Sequence, residues 1–216
     1  MQLPGADGGN TADGGRRERK KQATRRALAD AALRLAAELG PAHVTIEAIS
    51  EAADVSLRTF FNYFGSKEEA ILNADPCRPA ALRARVESRP CAEPPLEALR
   101  VTLTEESTTQ TGDAEAWSLK MRLVREHPSL VPRYLAGYAD AERGLIEAVA
   151  ARVGADPDAD LYPSLVVAAA LNAARIAVHH WDATGRTKPL PTLLRTAFNG
   201  LAAGLVPPPP SRSRIT

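Results

Sequence analysis

Three cap-forming side chains, Thr45, Ser56 and Ser66, cut the stretch that follows residue 44 into short helical pieces. A Ser or Thr hydroxyl placed just before a helix accepts a hydrogen bond from a free first-turn amide. Ser66-Lys67-Glu68-Glu69 has the capping-box pattern, opening a fourth helix anchored by Ile71 and Leu72. Asp54-Val55 predicts a tight turn between the second and third pieces, and Gly65 ends the third. Helices shorter than about 12 residues are marginal in water alone, so these pieces have to pack on something longer. The candidate is a helix over 17–39, closed by Gly40-Pro41, where Gly supplies a left-handed cap and Pro forbids continuation. Two short helices joined by a tight turn and braced by a longer one make a helix-turn-helix. In such a motif the second short helix is the one that enters a major groove.

The apolar spacing assigns faces. Leu28, Ala31, Ala32, Leu35 and Leu39 fall on one side of a 3.6-residue period, as do Ile46, Ile49 and Ala53. Phe60 and Phe64 are four apart and predict an inward stripe on the third helix. Arg58, Thr59, Asn62 and Tyr63 are then left to solvent or a groove, and Phe61 is an aromatic that the core pattern does not need. Upstream lie Arg16, Arg17, Arg19, Lys20, Lys21, Arg25 and Arg26 against a single acid, Glu18. That cluster reads either as a solvated helix face or as an arm on phosphates.

Elsewhere the chain is balanced, with 27 Lys+Arg against 26 Asp+Glu, so it is no general polycation. The Gly/Asp-rich start lacks the apolar core of a secretory leader. No apolar run is expected to approach the roughly 20 residues that span a bilayer. Two cysteines, Cys77 and Cys91, are too few for a disulfide framework in 216 residues and predict reduced thiols. Strict period-2 alternation is hard to find and Ala, Leu, Arg and Glu dominate, which predicts an all-α chain. Further helices are expected over 79–88, 94–109, 113–127, 129–153, 161–181 and 189–205. The 161–181 segment is apolar or small over a wide arc, which asks for burial on more than one side. The expected layout is a disordered arm over 1–15, a helix-turn-helix head over 16–75, a larger helical body over 76–206 and a Pro-rich tail over 207–216.

The run from Thr45-Ile46-Glu47-Ala48-Ile49 through Ala52-Ala53-Asp54-Val55-Ser56 to Thr59-Phe60-Phe61-Asn62-Tyr63-Phe64 and Ser66-Lys67 resembles the TetR family of bacterial transcription repressors. That family has Gly where Asp54 stands and Tyr where Phe61 stands; Asp tolerates the left-handed turn, while Phe61 loses a hydroxyl and keeps apolar contact with a thymine methyl. The resemblance implies DNA contacts from Arg19, Lys20 and Arg25 in the arm, and phosphate contacts from Thr45, Ser56, Tyr63 and Lys67. It implies a phosphate or base contact from Thr59, and base reading by Arg58, Phe61 and Asn62. It further implies a cytoplasmic homodimer, a double-stranded DNA operator and a small-molecule effector, with no cofactor, no metal and no membrane. The last two helices would pair with their copies through small residues such as Ala173 and Ala177 and the face of Leu193, Leu194, Ala197, Leu201 and Leu205.

Effector candidates in the body are Trp117, Met121, Tyr134, Tyr138, Asn172, Arg175, His179 and Trp181. From these, Trp117, Met121, Tyr138 and Arg175 are expected to line an apolar pocket with one cationic end, because an Arg inside an Ala-rich helix asks for an anion. An acyl thioester would fit that description. Two other readings compete. A redox-sensing regulator would use Cys77 and Cys91. An enzyme would need more than His179-His180 and Asp182, since adjacent helical residues point about 100° apart and do not share one ion. The sequence holds no nucleophile elbow, phosphate loop or zinc spacing, so an enzyme is not expected.

Overall fold

The computed structural model describes residues 11–73, 77–111 and 114–205; the expected Pro-rich tail and the first ten residues of the expected arm lie outside the described residues. The described residues form ten α-helices and no strand, as the sequence predicts: α1 (Thr11–Leu39), α2 (Ile46–Ala52), α3 (Leu57–Phe61), α4 (Lys67–Leu72), α5 (Arg78–Glu87), α6 (Pro95–Gln110), α7 (Ala114–Glu126), α8 (Val131–Val153), α9 (Leu161–Ala183) and α10 (Leu190–Ala202). Helix α1 therefore begins at Thr11, ahead of the expected start at residue 17. Once a helix is nucleated by a packed stretch, each added residue gains a hydrogen bond, so the basic segment extends the packed 28–36 portion.

Two compact units divide the chain, the first being Met1–Asp75 with Ser118–Ala136 and the second Pro76–Trp117 with Gly137–Thr216. In the first, Leu28, Ala32 and Ala36 of α1 are fully buried with Val44, Ile49, Phe60 and Ala70. Leu39, expected on the same stripe, is 52% exposed in the last turn of α1. The second half of α7 and the short turn before α8 add Leu123 and Leu130 to this unit's buried residues.

The second unit has a separate core. Leu82 and Val86 of α5, Leu99 and Leu103 of α6, Leu145 and Val149 of α8, Val167 and Ala170 of α9, and Leu194 and Phe198 of α10 form one cluster. Phe198 supplies the bulk on α10, whereas Leu205 at the expected end of that stripe is 70% exposed. Helix α9 corrects the expectation that no run approaches membrane-spanning length. It has 23 residues with a mean hydropathy of 1.5 over its most apolar window, long and apolar enough by length and composition. Its Val167, Ala170, Ala174 and Ala177 pack into the unit's core, as a core helix does, and its other side carries Asn172, Arg175, His179 and His180, all exposed.

Arg152 holds the α5–α6 connection. Its Nη1 donates to the carbonyls of Val86 (3.2 Å) and Arg89 (3.0 Å), and its Nη2 to those of Pro90 (2.7 Å) and Glu93 (2.8 Å). Val86 lies in the last turn of α5, where carbonyls lack helical partners and carry the negative end of the dipole; the other three belong to the connection, so one guanidinium joins the helix end to the loop. Beside it, Arg89 bonds the Glu93 carboxylate (2.8 Å) and holds that carboxyl below its ordinary range.

Arg152→Ala should cost roughly 1.5–3 kcal/mol, the range for hydrogen bonds to a charged group, read as a lower urea midpoint at unchanged slope. The depressed Glu93 carboxyl works in one direction. Its contribution is present above the ordinary value of 4.5 and is lost as pH falls through the lowered folded value. Arg89→Ala should therefore make stability fall less steeply on the acid side, measured by urea midpoints across pH 3–6.

Candidate nucleic-acid interface

Local hydrogen bonds fix the third helix from both ends. The Ser56 side chain accepts from the Thr59 amide at 3.1 Å and lies 2.9 Å from the Thr59 hydroxyl. Thr45 caps α2 by accepting from the Ala48 amide at 3.1 Å, and Ser66 caps α4 by accepting from Glu69 at 3.2 Å. The turn between α2 and α3 puts Asp54 at φ +52°, the left-handed region, and lets the Val55 amide reach the Ser50 carbonyl at 2.9 Å. Glu69 completes the α4 start: one carboxylate oxygen accepts from the Gly65 amide at 2.8 Å, and the other lies 3.2 Å from Arg133 Nε.

The faces of α3 divide as the spacing predicts. Phe60 and Phe64 are 0% and 2% exposed, while Phe61 is 57% exposed. Phe61 stands edge-on to Phe60, ring centroids 5.5 Å apart at 87°. Arg58 and Asn62 are exposed with it, and Thr59 and Tyr63 are half-buried. The structure thus brings Arg58, Phe61 and Asn62 to the solvent side of one short helix. Arg19 and Lys20 are exposed on α1.

Arg25 and Lys67 have internal work that the sequence did not reveal. Arg25 Nη1 donates to the Tyr63 carbonyl at 2.9 Å, and its guanidinium lies 4.3 Å from the centroid of the Phe64 ring. It ties α1 to the end of α3. Lys67 Nζ donates to the carbonyls of Val44 (2.9 Å) and Ala42 (3.3 Å), tying α4 to the α1–α2 loop. An ammonium has three donors, so two such bonds leave one N–H for a phosphate.

The body candidates separate. Trp117 and Tyr138 are partly buried against the second unit's core, and the Trp117 ring centroid is 6.4 Å from that of Trp181. Met121 is half-buried one turn further along α7, in the first unit. Arg175 is not enclosed among alanines: it is exposed on α9, with Nη2 donating to Asn172 Oδ1 at 3.2 Å. Residues 174 and 178 take the buried side, and a neighbour 100° around the helix faces away from it. The residues expected at a seam between two copies are also placed differently. Ala177 is 4% exposed within its own unit's core, whereas Leu165 and Ile176 are 60% and 56% exposed. Cys77 and Cys91 are both exposed and outside any disulfide. The cationic residues beside Trp181, Arg186 and Lys188, were missed; their signal was a Gly-Arg-Thr-Lys-Pro run between two apolar helices.

A short helix with a buried aromatic side and an exposed Arg-Phe-Asn side, braced by a capped partner, defines a helix-turn-helix DNA-binding head. Comparison with known proteins agrees. Residues 28–73 match the bacterial regulatory proteins of the tetR family, and residues 93–206 match the MftR C-terminal domain. The HTH-type transcriptional regulator TcmR of Streptomyces glaucescens is 36% identical over 173 residues, covering 77% of this chain and 76% of TcmR. The regulator MftR of Mycobacterium tuberculosis is 26% identical over 187 residues, covering 87% of this chain and 93% of MftR. The fold matches that of NalD, the secondary repressor of the MexAB-OprM multidrug efflux pump in Pseudomonas aeruginosa, with a TM-score of 0.57 at 20% identity, covering 85% of this chain and 97% of that one. The chain belongs to the TetR family of bacterial regulatory proteins. It is a DNA-binding transcriptional regulator with a helix-turn-helix head.

Lys67→Ala should free the 42–44 loop as well as remove a charge. Amide hydrogen exchange of residues 42–46 should speed up by about fivefold or more, from loss of charge-assisted bonds each worth on the order of 1.5 kcal/mol. Lys67→Gln, which can still donate to one carbonyl, should fall between the two.

Proposed function

We propose that the protein is a homodimer that represses by docking two heads on a pseudo-palindromic operator in the cytoplasm and lets go when a small molecule binds its body. The carrying observation is the exposed triplet Arg58, Phe61 and Asn62 over a buried Phe60–Phe64 pair. Arg and Asn can pair bidentately with guanine and adenine edges, and an apolar ring suits a thymine methyl. Thr45, Thr59, Ser56, Tyr63, Lys67 and the Arg19, Lys20 and Arg25 series of α1 would hold the phosphates. Phosphate contacts fix register and affinity without reading sequence.

The dimer reading rests on α9. Leu161, Leu165 and Ile176 are more than half exposed on one side of a helix whose other side is core. A second copy would cover them. Repression is lost in this account when effector binding changes the spacing between the two α3 helices away from about 34 Å, one helical turn of DNA. Such coupling is typically about 1–3 kcal/mol.

Selection from a random DNA pool should return inverted repeats, and Arg58→Ala or Asn62→Ala should relax one or two positions per half-site by roughly 1–3 kcal/mol each. A pool enriched only in asymmetric sites would overturn the two-headed reading. Ile176→Asp should sediment as a monomer with unchanged helicity, because a charge buried unpaired in a seam costs several kcal/mol. Ala177→Asp should instead unfold the body, since that position belongs to the unit's own core.

A further inference from the structure

The connection between α9 and α10 forms, with the end of α6, a cleft of about 460 Å³ lying wholly within the second unit. We infer that this cleft is a binding site for a small, flat, ring-bearing carboxylate. It is a shallow cleft open to solvent rather than an enclosed cavity, with a volume in the range of small-molecule sites, about 300–1,000 Å³. Its walls are mostly apolar. Trp181 forms one side, and Pro189, Leu190 and Pro191 at the start of α10 form another. Such walls suit a ring better than a flexible chain.

The Trp181 wall is fixed from two directions. The Trp117 ring packs against it at 6.4 Å, and the Arg186 guanidinium lies 5.1 Å from its centroid. Arg186 is itself held in an unusual backbone conformation. Gly185 and Arg186 both have left-handed φ, +66° and +62°, and the Arg186 amide donates to the Trp181 carbonyl at 2.9 Å. A non-glycine residue keeps such a conformation only where its surroundings determine it. Here the turn lays Arg186 back over Trp181.

Charge decides the ligand's sign. Arg186 Nη2 is 3.1 Å from Asp182 Oδ1, so its charge is answered within the protein. Lys188, also lining the cleft, is exposed and has no acidic side chain in ion-pair contact among the described residues. The cleft therefore carries one cation over, at the positive end of the 13-residue α10. A monoanion with an apolar body complements it. A molecule seated there touches α9 and α10 together.

Both tryptophans of the chain, Trp117 and Trp181, belong to this one pair, so tryptophan emission reports on the cleft. The test is calorimetric titration of the full chain with 1-naphthoate and with the uncharged 1-naphthamide, with emission followed in parallel. We expect one saturable naphthoate site per chain with an emission change, and naphthamide about tenfold weaker, as for loss of one charge-assisted hydrogen bond. Lys188→Gln should bring naphthoate to the naphthamide level while leaving naphthamide binding and the melting temperature unchanged. Equal affinity for the two probes, no saturable naphthoate binding, or a Lys188→Gln variant that binds naphthoate like the parent would each overturn the assignment. The binding is read on the protein alone, so the result stands apart from whether the head docks on DNA as proposed.

Discussion

Burial of Phe60 in the five-residue α3, and of Phe64 just beyond it, is what the helix-turn-helix head depends on. A helix as short as α3 has no stability of its own. Two aromatic side chains taken out of water supply about 1.5–3 kcal/mol each, and they also decide which side of the helix is left outside. Once Phe60 is in, Arg58, Phe61 and Asn62 are out, because residues one and two positions away cannot share its face. Arg25 then closes the arrangement by binding the Tyr63 carbonyl and lying over the Phe64 ring. A cation expected only to meet DNA is therefore also the brace that ties α1 to the end of α3.

The body solves a different problem. Helix α9 carries core residues on one side and an exposed set of Leu161, Leu165 and Ile176 on another. Small residues such as Ala170, Ala174 and Ala177 let neighbouring helices approach closely inside the unit and are spent on its core. The polar work is concentrated at connections: Arg152 ties the last turn of α5 to the loop that follows it, and Arg186 with Asp182 fixes the turn that leaves α9. Loops between packed helices carry unpaired backbone groups, and these arginines are where that constraint is met.

Much of the head was legible in the sequence because its signals are local. Thr45, Ser56 and Ser66 cap as their spacing predicts, Asp54 takes the left-handed turn, and Phe60 and Phe64 turn inward. What was not legible depends on residues distant in the chain. Nothing near Lys67 announces that its ammonium reaches the carbonyls of Ala42 and Val44. Nothing near Arg152 announces the carbonyls of residues 86–93. In the body, periodicity showed that α9 is apolar over a wide arc but not which part of the arc faces the core. For that reason Ala177, expected at a seam between copies, lies in its own unit's core, and Arg175, expected in a pocket, lies outside.

The central claim is that two copies of α3 occupy successive major grooves on one face of a duplex. A dimethyl sulfate footprint on a selected operator measures this directly, since the reagent marks guanine N7 in the major groove and adenine N3 in the minor. The account predicts two patches of guanine protection whose centres lie about 10 base pairs apart or a multiple of that, both lost together in the Ile176→Asp monomer. A single protected patch that persists in that monomer, or protection confined to adenines, would contradict it.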